Sequence, residues 1–153
     1  MKPLSEFRTG DAFELVRTCR RCTPIYYAAA SGDFHPVHLD PEVGRLAGQA
    51  GTILQGMCTM GWMAEACDRY FGAPGRTARL EVRFSRPVKA GDEITFRGRC
   101  VAVEGERVRV EVSATNQRGE EVLRNAAAEA VILPEAGAVG APGAGALEGA
   151  GGP

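Results

Sequence analysis

The chain has 153 residues, 44% of them apolar and 24% charged, with a net charge of −1. That suffices for one domain with a proper core and lacks the basic excess a nucleic-acid partner calls for. Five cysteines (Cys19, Cys22, Cys58, Cys67, Cys100) in no regular framework, no apolar leader in residues 1–7 and no stretch of membrane-spanning length give the expectation of a reduced, soluble, cytoplasmic protein without membrane contact.

Taken in chain order, residues 12–18 read as a first strand. Cys19-Arg20-Arg21-Cys22 has C-x-x-C spacing, but neither the other cysteines nor the two histidines supply a second ligand pair at zinc-site spacing, so it is read as a connection. Thr23-Pro24 signals a helix start, a hydroxyl cap followed by proline at the first helical position, and Gly32 ends the helix. The ten residues from Ser31 to Asp40 then place two carboxylates (Asp33, Asp40) and two imidazoles (His35, His38) around Pro36. Proline stiffens its own position and pushes the preceding residue toward extended geometry, so these side chains project from a rigid loop, the mounting an acid/base pair needs. Singly, Asp33 reads as a helix-ending turn residue, Asp40 as a cap for the short helix after Pro41 and His38 as a core histidine. Together they point to chemistry.

Residues 42–47 read as a short helix and 48–52 as a loop. Residues 53–71 form a longer helix whose stretch from Gln55 to Ala64 carries no charge, the pattern of a helix enclosed by protein. Its first-turn amides, near Gly56, lack intrahelical partners. From Thr77 the apolar period becomes two: Leu80, Val82 and Phe84, then Ile94 and Phe96, then Val108, Val110 and Val112, then residues 122–133, separated by turn signals at 89–92, 103–106 and 116–119. One buried helix followed by four antiparallel strands is an α+β pattern, a sheet curled around a central helix. Residues 134–153, largely Gly, Ala and Pro, are expected to form a disordered tail outside the 1–133 domain.

The run from Tyr27 to Pro41 resembles the hydratase motif of the MaoC-like (R)-specific enoyl-CoA hydratases and dehydratases of the hotdog superfamily, and Ile53-Leu54-Gln55-Gly56-Met57 resembles the start of that family's central helix. The resemblance implies a single hotdog domain, reversible hydration of trans-2-enoyl thioesters to (R)-3-hydroxyacyl thioesters, and Asp33 and His38 as the catalytic pair. It gives Gly56 N–H the oxyanion role, makes Ser31 and His35 supporting residues and places Gln55 and Met57 against the substrate. No cofactor is required, because the thioester itself acidifies C2. The expected partners are an acyl-CoA or acyl carrier protein substrate and a second hotdog chain, identical or different. The sequence departs from the family where His35 replaces a usual asparagine, Gln55 a frequent histidine and Ala64 a serine of some members. Two rival readings are an acyl-binding partner subunit of a hetero-oligomeric dehydratase and a hotdog thioesterase using Glu65.

Overall fold

The computed structural model describes residues 3–72 and 76–132, so the segment 134–153, expected to be disordered, lies outside the described residues. In chain order come β1 (Ala12–Thr18), α1 (Thr23–Ser31), α2 (Pro41–Leu46), α3 (Gly56–Phe71), β2 (Arg76–Phe84), β3 (Glu93–Glu104), β4 (Arg107–Asn116) and β5 (Glu121–Val131), with 3-10 turns at Leu4–Glu6 and Pro36–His38. The five strands form one antiparallel sheet in the order β1-β3-β4-β5-β2. Strict alternation along β4 buries Val108, Val110, Val112 and Ala114 and exposes Arg107, Arg109 and Glu111. Against that apolar face lies α3, whose Met63, Ala66, Cys67 and Phe71 join Ile94, Phe96, Cys100 and Leu123 in one core. Burying each large side chain is worth about 1.5–3 kcal/mol, which fixes the helix across the sheet. This is the hotdog arrangement.

Four details differ from the sequence pattern. Strand β3 runs well past Phe96, through Gly98, which hides it because glycine interrupts the apolar alternation. A Cβ there would sit 2.0 Å from the Phe13 ring, and that ring fills the space instead, stacked on Tyr70 at 4.6 Å. Only β3, β4 and β5 form a meander. β2 pairs with β5 at the far edge, because the chain leaving it runs past the start of α3, where Leu54 N–H donates to Val88 C=O (2.8 Å) and Ile53 bridges Lys89. The same contacts hold residues 53 and 54 extended, so α3 begins at Gly56. In α1 the cap is Cys22, without a side-chain hydrogen bond, and Thr23 is already helical.

The uncharged half of α3 is not enclosed on all sides by its own chain: Gly56, Met57 and Gly61 are exposed, Met57 to 57%. One sheet covers one helix face, here Cys58, Thr59, Met63, Ala66 and Cys67. Among the described residues no helix is long and apolar enough to cross a membrane.

Candidate active site

Gly32 closes α1 in the left-handed region at φ +76°, a conformation glycine takes without steric cost. The reversal puts Asp33 just outside the helix end, and local bonds fix it there. Ser31 Oγ donates to Tyr27 C=O (2.7 Å) and accepts from Asp33 N–H (3.2 Å), while Asp33 Oδ1 accepts from His35 N–H (3.3 Å). Ser31 therefore supports the main chain of Asp33, and at position 35 it is the backbone that reaches the carboxylate. The His35 imidazole does something else: its Nδ1 accepts from Val37 N–H (3.3 Å), capping the turn that carries His38. Asp40 caps α2 through Glu42 N–H (2.8 Å), the structural role its position before proline suggests.

His38 is placed by a contact no sequence pattern marks. Its Nδ1 lies 2.9 Å from Ile53 C=O. A carbonyl only accepts, so Nδ1 carries a proton, and in the ring's neutral form Nε2 is left bare. Nε2 faces Asp33 Oδ2 at 3.7 Å, with the imidazole 13% and the carboxylate 46% exposed. Two acceptors at that distance do not bond each other. Their spacing suits a shared hydroxyl or water that donates to both.

Gln55 lies on the far side of the loop and is 1% exposed. Its Nε2 donates to Pro24 C=O (3.1 Å) and Asp33 C=O (3.3 Å), tying the first turn of α1 to the active loop. The side chain is thus bonded to the main chain of Asp33. Its Oε1 is buried without a partner, at a typical cost of about 1–3 kcal/mol. Met57, by contrast, is open to solvent beside Gly56.

His38 and Gly56 meet in one cavity of about 330 Å³, lined also by Leu54, Thr59, Phe84 and Val122. Gly56 opens α3, and the amides of a helix's first turn point outward with partial positive charge. His38, the N-terminus of α3 and an apolar wall thus face one space, and Asp33 adjoins it through its approach to His38 Nε2. Phe84 and Val122, on strands far from Gly56 in the chain, are not marked by the sequence, and neither is Thr59 one turn further along α3.

Glu65, the thioesterase candidate, is otherwise engaged. It accepts from Arg17 Nε (2.9 Å) and Arg69 (2.8 Å). The Arg17 hydrogen bond is the largest influence holding its carboxyl below the usual carboxylate range. A carboxylate clamped by two guanidiniums is a poor base or nucleophile. In the C-x-x-C, burial pushes the Cys19 thiol up to about 12, far from the thiolate that metal or redox chemistry needs. Among the described residues no three His, Cys, Asp or Glu side chains cluster as metal ligands.

A family model described as "MaoC like domain" matches residues 10–122. The chain is similar to a probable enoyl-CoA hydratase 2 of Dictyostelium discoideum, 33% identical over 72 residues that make up 46% of this chain and 24% of that one. It is also similar to the peroxisomal multifunctional enzyme type 2 of Mus musculus, 31% identical over 109 residues, 70% of this chain and 14% of that one. The chain thus spans a quarter or less of these curated relatives. Among solved structures, R-hydratase PhaJ1 from Pseudomonas aeruginosa superposes with a TM-score of 0.80 at 27% identity, covering 87% of this chain and 86% of that one. The ChsH1–ChsH2 complex from Mycobacterium tuberculosis shares the fold, with a TM-score of 0.76 at 23% identity over 82% of this chain and 98% of that chain.

Proposed function

From the premise that the chain belongs to the MaoC-like dehydratase family, matched over residues 10–122, we propose that it reversibly hydrates trans-2-enoyl thioesters to (R)-3-hydroxyacyl thioesters. The observation that carries this reading is the approach of Asp33 Oδ2 to His38 Nε2 at 3.7 Å, with the other ring nitrogen engaged by Ile53 C=O. A water donating one hydrogen to each is held with its oxygen lone pair free. As that oxygen attacks C3, His38 Nε2 takes one proton, and Asp33 keeps the other hydrogen in place and stabilises the imidazolium. Electron density moves from the C2=C3 bond onto the thioester oxygen, where Gly56 N–H at the helix N-terminus stabilises it. Return of the proton from Nε2 to C2 completes the addition: one O–H bond breaks, and C3–O and C2–H bonds form. The thioester acidifies C2, so the scheme needs no cofactor.

The acyl group would be carried by coenzyme A or an acyl carrier protein, with Arg86 at the cavity wall as a cation for carrier phosphate. Beside the site, Ile25, Tyr26, Phe34 and Met57 are exposed, and β2 ends the sheet with only β5 as neighbour. A second hotdog chain, identical or a distinct subunit, covering this face would complete the enclosure of α3. Exposed apolar side chains and a free sheet edge are what such a partner buries.

The test is a spectrophotometric assay of the purified protein with crotonyl-CoA, following conjugated enoyl absorbance beside a thiol-release readout. Absorbance falling without thiol release is expected, and Glu65→Gln is expected to hydrate within about threefold of wild type, since it breaks two partly exposed ion pairs of modest worth. Thiol release lost in Glu65→Gln would establish the thioesterase instead. Turnover that appears only when a second chain is added would establish the partner-subunit reading.

A further inference from the structure

Phe84 ends β2 and is 47% exposed. Its ring is nonetheless closely placed. A Cβ built on Gly56 would lie 3.3 Å from both Cε1 and Cζ of Phe84, so the ring rests on the first residue of α3, inside the cavity that also holds His38.

What stands opposite the ring on β5 is set by an irregularity in the backbone. Between Glu81↔Ala127 and Arg83↔Arg124, β5 advances three residues while β2 advances two. Between Val112↔Ala126 and Ala114↔Leu123, β5 again advances three against two on β4. One extra residue is therefore inserted in β5 against both neighbours. The two spans share Asn125, the sole non-glycine residue with positive φ (+47°) among the described residues. Asparagine tolerates that conformation better than most side chains. Bulges of this kind re-aim side chains. Ala130, Ala128 and Ala126 face the core, and unbroken alternation would send Arg124 inward next. With the bulge, Arg124 faces out and Leu123 faces in, opposite Phe84. Ser85 N–H then donates to Val122 C=O at 2.8 Å, fixing the strand immediately after the ring.

We propose that Phe84, resting on Gly56 and paired with Leu123 across the Asn125 bulge, sets the upper size of the acyl group accepted beside the oxyanion amide. The inference rests on the hydratase reading, in which the thioester carbonyl lies at Gly56 and the acyl chain must pass this ring. A wall residue at that point discriminates by bulk: it leaves small acyl groups room and obstructs longer ones. Phe84 touches substrate without taking part in proton transfer.

The experiment measures kcat/KM for crotonyl-CoA and trans-2-octenoyl-CoA with wild type, Phe84→Leu and Phe84→Ala. In parallel, calorimetric Kd values are taken for the saturated butanoyl-CoA and octanoyl-CoA. The octenoyl-to-crotonyl ratio is expected to rise at least tenfold in Phe84→Ala and by an intermediate factor in Phe84→Leu, with the binding ratio moving the same way. A general loss of fold would lower both substrates together and leave the ratio alone, and the leucine variant keeps the test open if the alanine variant does not fold. Both ratios within twofold of wild type would overturn the proposal. If wild type hydrates neither substrate, the hydratase reading falls and the binding ratio decides on Phe84 by itself. Failure of wild type to bind either acyl-CoA would overturn both.

Discussion

Asp33→Asn and His38→Ala are each expected to lower kcat for hydration of crotonyl-CoA by about 10²–10⁴-fold, the range for loss of a positioned acid/base group. The two act differently. Asparagine at 33 keeps an oxygen for His35 N–H, whose bond to Asp33 Oδ1 is 3.3 Å. Its amide NH₂, however, faces His38 Nε2, now 3.7 Å from Oδ2, and donates to it, capping the lone pair that takes the water proton. His38→Ala removes that lone pair outright and leaves Ile53 C=O without its partner. In the proposed mechanism the two groups hold one water, so their effects should not be additive: the double variant is expected to be about as slow as the worse single one. Absorbance assays on the three variants, with circular dichroism to show an intact fold, check this. Either single variant retaining a tenth of wild-type activity would remove the pair from the chemistry.

What the sequence discloses about this site follows from how local each interaction is. Gly32 after an alanine-rich helix, proline after His35 and aspartate before Pro41 act within four residues of themselves, and each sits where its chemistry implies, as the end of α1, the turn at Pro36–His38 and the cap of α2. Alternation on β4 is legible for the same reason. What is hidden depends on contacts between distant segments. Nothing about Ile53 marks its carbonyl as the group that sets the His38 tautomer fifteen residues away. Gln55 looks like a helix-start residue exposed to substrate, and only the proximity of Pro24 and Asp33 carbonyls turns it inward. Glu65 reads as a free carboxylate until Arg17, on a strand 48 residues earlier, is seen against it. The Asn125 bulge is the hardest case, because the alanines at 126, 128 and 130 continue a pattern that predicts the wrong face for Arg124.

Gly44→Ala is expected to destabilise the fold and slow the reaction together, through the support behind His38. In an open helix the change would favour folding by up to about 1 kcal/mol. Here Gly44 is buried in α2, and a Cβ would sit 2.1 Å from Gly51 O and 3.1 Å from Thr52 N. Backbone cannot yield as a flexible side chain does, so overpacking of about 1–3 kcal/mol outweighs the helical gain and lowers Tm by roughly 5 °C. The displaced segment leads directly to Ile53, whose N–H donates to Val37 C=O (3.3 Å) and whose C=O accepts from His38 Nδ1. As that carbonyl withdraws, the proton is no longer confined to Nδ1 and the bare Nε2 is populated less. A fall in kcat of about tenfold is expected, of the order of one weakened hydrogen bond to a catalytic group. Gly48→Ala separates the two effects. Gly48 has φ +76° with nothing within 4 Å of its would-be Cβ, so alanine there costs about 1–2 kcal/mol of backbone strain without pushing on Gly51. Thermal unfolding and kcat measured on both variants should give comparable losses of stability, with kcat reduced only in Gly44→Ala. An equal fall in kcat for both would show that general loosening, and not the Gly51 to Ile53 segment, controls His38.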